Sequence, residues 1–409
     1  MRRGLVRVVS LLLMAALLAV LPGIVGCGAD SGAGTKEIVL GFQSDLTGPA
    51  SGAVIDLYKG FVDYLSMQQD LLQGLRTKII TWDTRSDATR NIPGYMWLKG
   101  QGAQLMIYLA GVDRLLLADD FAKDEMPAIG SQGVETLQGH SWTWSLMATP
   151  EVQGETAMQF VLDNWKGTGK PKVGHAGISA FYISAATQRG IDRFMENHPG
   201  ELDWQGYEKG PYGNTAWAVE VSKLKRCDYI YCSMVGPGTA SFVNQARAGG
   251  YTGKLLSGIE AFPGFWHMVR AVVPADQLYG CYYAHYMAWW SDPAPFITEQ
   301  KEWLEKHRPG EAEDLMARTG YPSGWALALW LTDALVRAIE AVGVDLVDKY
   351  AIRDALVTTD LEVPGWGNVW RVTPDNNICA WAQRFYMWDI PTSDWIAASG
   401  WITPSPNVQ

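Results

Sequence analysis

The chain predicts an α/β protein made of two doubly wound, parallel-sheet lobes. Three observations carry that prediction. From residue 37 onward, short apolar runs alternate with segments of helical period, and such runs are the signature of strands covered by helices on both faces. The alternation restarts near Val152, so two similar units stand in series. Finally, 383 residues remain after a 26-residue leader, enough for two domains of ordinary size.

The leader comes first. Residues 1–7, MRRGLVR, hold Arg2, Arg3 and Arg7 and no acid, and residues 8–21 are almost wholly apolar but too short to span a bilayer comfortably. Ile24-Val25-Gly26-Cys27 resembles the bacterial lipobox, whose cysteine is acylated and becomes the mature N-terminus. Ile24 and Val25 depart from the commoner leucine and small residue at those places. A lipoprotein signal peptide over 1–26, lipidation of Cys27 and a flexible Gly/Ser/Ala tether over 27–36 are therefore expected, with the body held outside the cytoplasm on a lipid anchor. A plain signal peptide with an incidental cysteine is the alternative.

The body follows element by element. EIVLGFQS (37–44) reads as a strand, and in IDLYKGFVDYLSM (55–67) Ile55, Tyr58, Val62 and Leu65 share one helical face. TKIITWDT (77–84) is a strand. Residues 88–98 form a helix that tolerates Pro93 only near its start. AQLMIYLA (103–110) is a strand, 115–123 a helix and MPAIGS (126–131) a strand. The second unit opens with a helix over 152–165, the strand PKVGHAGIS (171–179) and helices over 180–196 and 215–226. CDYIYCSMV (227–235) and GKLLSGIE (253–260) are strands flanking a helix over 239–248. Beyond them lie the strand YGCYYAHYM (279–287), a long helix over 323–342 and the aromatic strand QRFYMWDI (383–390). This last material is too little for a third domain and is expected to complete both lobes. Lobe 1 is then 37–148 with about 280–360, and lobe 2 is 149–279 with about 361–409.

Loss of the leader takes the formal net charge from −10 to −13, which argues against nucleic acid as a partner and against adhesion to anionic lipid, and no basic cluster in the sequence contradicts this. Cys227, Cys232, Cys281 and Cys379 follow no metal-ligand spacing; they read as buried thiols or at most one disulfide. The six histidines are scattered singly, and no metal or cofactor is expected. GTGKPK (167–172) has a phosphate-loop look but precedes a strand and lacks the motif's spacing, so it reads as a turn. GPGTASF (236–242) can present backbone N–H groups to an anion but completes no dinucleotide fingerprint. Neither a Gly-x-Ser-x-Gly elbow nor a His-Glu-x-x-His pair occurs, so no enzyme is expected. Most of the 19 tryptophans read as packing residues, with a few left to line a pocket.

Five stretches in order resemble the type I periplasmic binding protein family, in particular the branched-chain amino-acid and amide receptors of ABC importers. They are IVLGFQSDLTGPASG (38–52), IITWDTRSDATR (79–90), DEMPAIGSQG (124–133), KVGHAGISAFYISAATQRGI (172–191) and the run from Cys227 to Ala261. The resemblance implies two lobes joined by three crossings and closing on a small-molecule ligand, delivery to an ABC permease complex, and a monomer. It also implies site residues. Gly111 and Asp113 follow the third strand, where relatives carry hydroxyls for a ligand carboxylate; Asp113 would repel a carboxylate or cap its helix. Ser131 and Gln132 follow the fourth strand. Tyr182 matches a tyrosine that covers ligand, and Glu260 matches an acid that receives an ammonium group. An amino acid, amide or amine is the implied ligand class. A ligand-sensing receptor subunit for a membrane signalling partner is the alternative, and a hydrolase a more remote one.

Overall fold

The structure, a computed structural model, describes residues 36–403 except 49, 110, 180, 260, 364–365 and 367–368. The leader, the tether, Cys27 and Glu260 thus lie outside the described residues.

Two sheets carry the fold. The first is built from β1 (Glu37–Ser44), β2 (Arg76–Asp83), β3 (Leu105–Tyr108), β4 (Ala128–Gln132) and β5 (Thr143–Met147), with helices α1 (Ser51–Met67), α2 (Asn91–Gly100) and α3 (Gly111–Asp124) between strands. A second set repeats the plan: α4 (Pro150–Asn164), β6 (Lys172–Ile178), α5 (Tyr182–Asn197), β7 (Asp203–Gly210), α6 (Ala218–Leu224), β8 (Tyr229–Ser233), α7 (Pro237–Ala248), β9 (Lys254–Ser257), α8 (Phe262–Val272) and β10 (Cys281–His285). Helices α9 (Pro295–His307), α10 (Ala312–Met316), α11 (Gly320–Val342) and α12 (Lys349–Leu356) follow, then β11 (Asp360–Glu362), β12 (Val369–Arg371), β13 (Ile378–Ala380), β14 (Gln383–Asp389) and β15 (Asp394–Ile402).

The first sheet runs β2-β1-β3-β4-β5-β13, parallel throughout; the second runs β7-β6-β8-β9-β10-β14-β15, parallel through β10 and antiparallel beyond. Both halves therefore share one doubly wound order, and each has a topological switch point, between β1 and β3 and between β6 and β8. Ligands in such sheets collect beyond the carboxyl ends of the strands at these points.

Two closing segments sit otherwise than expected. β10, placed by the sequence reading in lobe 1, pairs with β9 in the second sheet, and β13, placed in lobe 2, pairs with β5 in the first. The chain consequently passes between the sheets at 148–149, at 286–294 and at Trp381–Ala382. Ala148, Val152, Ile378 and Trp381 pack together at these passages. The cavity left beside them, lined by Met147, Gln153, Ile259, Tyr286 and Gln383 among others, measures only ≈ 10 Å³, about the space of one water.

The expected face of α1 also shifts. Of the expected face Leu65 is buried, Tyr58 and Val62 are half-buried and Ile55 is 40% exposed, while Val54, Leu57, Phe61 and Tyr64 are buried. The cause is a glycine seat. A Cβ at Gly60 would fall inside the Tyr321 carbonyl, and one at Gly324 inside the Leu57 carbonyl, so α1 and α11 meet backbone to backbone. The second lobe repeats the device with Gly154 and Gly190 between α4 and α5. Among the described residues the four cysteines, Cys227, Cys232, Cys281 and Cys379, are buried free thiols, and no helix is long and apolar enough to cross a membrane.

Candidate functional site

At the carboxyl edge of the first sheet two aspartates shape the opening turn. Asp45 accepts from Ala50 N at 2.9 Å and also from Gly48 N, and Asp83 accepts from Leu46 N at 2.8 Å and from the Thr47 hydroxyl. Against a desolvation cost, hydrogen bonds from Thr47, Leu46 and Arg85 hold the Asp83 carboxyl down at about 2.

Asp113 lies in the first turn of α3, beside Gly111 at its start. Its Oδ1 accepts from Asn91 Nδ2 at 2.9 Å, and Gln43 Nε2 in turn donates to the Asn91 side-chain and backbone oxygens at 3.2 and 3.0 Å. A polar chain thus runs from β1 through α2 to Asp113. Burial pushes the Asp113 carboxyl above its ordinary value, against the opposing pull of Asn91 and Arg114. Arg114 itself, fully buried, donates to the Trp144 and Gln132 carbonyls and to Ser145 Oγ. It lies against Gly130, where any Cβ would meet the guanidinium, and burial pushes its pKa down to about 10. Sequence reading passed over Arg114 because a wholly buried arginine is rare; its place directly after Asp113 is the one available signal.

Ser131 and Gln132 end β4 and are both buried. The Ser131 hydroxyl donates to the Leu109 carbonyl at 3.1 Å, tying the ends of β3 and β4 together. Tyr182, at the start of α5 in the second lobe, packs with Leu115 against Ala118, Val134 and Leu137 of the first. The structure therefore brings Gly111, Asp113, Ser131 and Gln132 to neighbouring strand ends and sets Tyr182 against the loop that follows β4.

A charged contact accompanies this packing. Arg193 Nη1 of α5 meets Glu135 Oε1 of the first lobe at 2.5 Å, while its Nε meets Glu155 Oε1 of α4 at 2.6 Å. Arg189, at 2.5 Å from Glu151, lies over the Tyr182 ring at 5.8 Å. The sequence reading missed this set; the readable signal was acids four apart in one helix and arginines four apart in the next.

Among the described residues a nucleophile–base geometry occurs at His175, whose Nε2 lies 2.6 Å from Ser233 Oγ and whose Nδ1 lies 2.8 Å from Gln188 Oε1. Both His175 and Ser233 are buried, with Tyr207 stacked on the imidazole at 4.2 Å, and burial lowers the His175 pKa to about 4. No solvent or substrate reaches that pair, so it is a packing network. Among the described residues no three His, Cys, Asp or Glu side chains converge on a metal position.

Residues 37–385 match the sequence profile of a family described as "Periplasmic binding protein". Among solved structures, a branched-chain amino acid ABC transporter protein from Thermus thermophilus with bound valine superposes at TM-score 0.79 and 16% identity, over 92% of this chain and 98% of that one. A fatty acid ABC transporter substrate-binding protein from Thermomonospora curvata reaches 0.76 at 18% identity, over 91% and 94%. A possible leucine/isoleucine/valine-binding protein from Rhodopirellula baltica reaches 0.73 at 12%, over 89% and 97%. No curated protein matches by sequence.

Proposed function

Because the chain belongs to the periplasmic binding protein family, we propose that it is the lipid-anchored receptor of an ABC importer, capturing a small polar solute between its lobes. The family binds solutes and performs no chemistry on them. One observation supports the reading: next to the carboxyl ends of β3 and β4, with Asp113, Ser131 and Gln132, Tyr182 from the other lobe packs against Ala118, Val134 and Leu137. Enclosure of that kind excludes water and strengthens each polar contact. In this reading Gly111, Asp113, Ser131 and Gln132 hold the solute from the first lobe, and Tyr182 and Glu260 hold it from the second. Cys27 carries the acyl anchor, and the closed form is what the permease recognises.

Structural relatives carry valine in one case and are named for fatty acids in another, so the fold leaves the ligand class to the side chains. The loop after β3 offers Asp113 where a hydroxyl would serve a carboxylate, and Glu260 is a second acid. Both favour a ligand with an ammonium or amide group over a simple carboxylate. A thermal-shift screen of amino acids, amides, polyamines and aromatic acids identifies the solute, since a ligand of the folded state stabilises by mass action. Calorimetric titration of that solute into Asp113→Asn and Glu260→Gln then tests the assignment. Loss of a charged hydrogen bond costs about 1.5–3 kcal/mol, roughly ten- to a hundredfold in affinity. Equal affinities in both folded variants would remove the two acids from the site.

A further inference from the structure

At the amino ends of β8 and β9, on the edge of the second sheet opposite the proposed solute site, a groove of ≈ 510 Å³ opens. Trp165, Lys166, Lys225, Arg226, Asp228 and Lys254 line it. Four cations thus face one carboxylate on a chain whose formal net charge is −10. The carboxylate is already engaged, Asp228 Oδ2 accepting from Lys172 N at 2.8 Å. Among the described residues none of the four cations has an ion-pair partner.

Two of the walls are fixed in advance. Lys254 Nζ donates to Tyr229 Oη at 3.1 Å and sits over the Tyr229 and Tyr282 rings at 4.9 and 5.7 Å, so its ammonium is positioned without a counter-charge. Across the groove, Trp165 Nε1 donates to the Gly169 carbonyl at 2.9 Å, and a Cβ at Gly167 would overlap the indole. This is the GTGKPK segment that the sequence reading assigns to a turn. The segment bends between α4 and β6, and its outer wall is a half-buried tryptophan.

We propose that this groove is a second ligand site, taking a phosphate-bearing anion with an apolar or aromatic part. The phosphates meet Lys166, Lys225, Arg226 and Lys254, and the apolar part rests on Trp165. The volume falls within the roughly 300–1,000 Å³ of small-molecule pockets and is generous for a lone phosphate ion. Unpaired cations on an otherwise acidic surface focus a local field that draws in a multivalent anion. The same chemistry is offered by a soluble organic phosphate and by a phospholipid headgroup. None of these residues belongs to the proposed solute site, so the inference stands or falls separately from the importer reading.

The test uses the chain from Lys36 onward, which contains all the described elements in one compact unit. Pyrophosphate and ADP are titrated at low ionic strength, and phosphatidylglycerol vesicles are compared with phosphatidylcholine vesicles by flotation. Both soluble probes are expected to bind, less tightly as salt rises. The double variant Lys225→Glu/Arg226→Glu, at exposed positions, lowers affinity tenfold or more. Trp165→Ala weakens ADP and leaves pyrophosphate within twofold. Binding to phosphatidylglycerol alone assigns the anion to a headgroup. Absence of binding by all three probes, undiminished binding by the charge-reversed variant, or equal binding of polyglutamate would overturn the proposal.

Discussion

Glu135→Gln tests whether the lobes are held together across the proposed site. The carboxylate meets Arg193 Nη1 at 2.5 Å, and the two side chains are 29% and 27% exposed. Unit charges 4 Å apart at an effective dielectric of 20 attract by about 4 kcal/mol, and desolvation cancels much of that. The net value falls between an exposed pair, about 0.2–1 kcal/mol, and a charged hydrogen bond, about 1.5–3 kcal/mol. A figure of about 1–2 kcal/mol follows. Glu135 is the right partner to change, because Arg193 keeps its bond to Glu155 at 2.6 Å and no buried charge is left alone. Substituting Arg193 instead would strand Glu155, whose other oxygen already lacks a partner. A trap that admits solute is mostly open when free, so its apparent affinity scales with the closed fraction. Losing 1–2 kcal/mol of closure should therefore weaken solute binding about five- to thirtyfold. Calorimetry reads that change, and the gap between parent and variant should narrow at high salt. Small-angle scattering should also show a larger mean radius of gyration at subsaturating solute. A folded variant with affinity within twofold of the parent and an unchanged scattering curve would refute a latch here.

Two further outcomes follow from the structure and a third from the sequence of the leader. Gly190→Ala should destabilise by about 1–3 kcal/mol in urea titration, because its Cβ would enter the Glu151 carbonyl, although Gly→Ala in an open helix stabilises by about 1 kcal/mol; a gain in stability would contradict the backbone contact. His175 has its pKa lowered to about 4, so the unfolded chain binds a proton that the folded chain refuses between pH 6.5 and 4. Stability should fall as pH drops through that window, and His175→Gln should reduce the slope by about 1.4 kcal/mol per pH unit; an unchanged slope would mean the imidazole is not held neutral. Cys27→Ser should abolish lipid labelling and leave the precursor uncleaved, and processed protein still fractionating with membranes would sink the anchor.

Much of the fold was legible because parallel strands buried on both faces are apolar runs that few other elements imitate. The strands at 37–44, 126–131, 227–235 and 253–260 overlap β1, β4, β8 and β9. β7 was not found. It is an edge strand with the sequence DWQGYEKG and largely half-buried residues, so it offers neither an apolar run nor a clean alternation. The face of α1 was misread because its partner is 260 residues downstream and seats on glycines, which carry no hydrophobic signal. The candidate site was proposed from resemblance alone. Asp113 stood out as a charge where a hydroxyl was expected, but nothing local announces that Asn91 and Gln43 would hold it.

The repeated plan bears on mechanism. Each lobe locks a helix pair by glycine-seated backbone contact, α1 with α11 and α4 with α5, so each moves as a unit. The passages at 148–149 and 381–382 are two residues long and pack on one another, with space for about one water beside them. Two of the three passages are thus short and dense, and in the proposed trap they would confine closure to rotation about a narrow axis. Contacts far from that axis then have the longest lever arm on the open–closed balance. Tyr182 and the Arg193–Glu135 pair join the lobes through the loop after β4, which follows directly on Ser131 and Gln132 at the strand's end. On the proposed function, recognition and closure would be coupled through one segment. A solute that braces Ser131 and Gln132 also steadies the surface on which Tyr182 and Arg193 land, which gives it a differential affinity for the closed form.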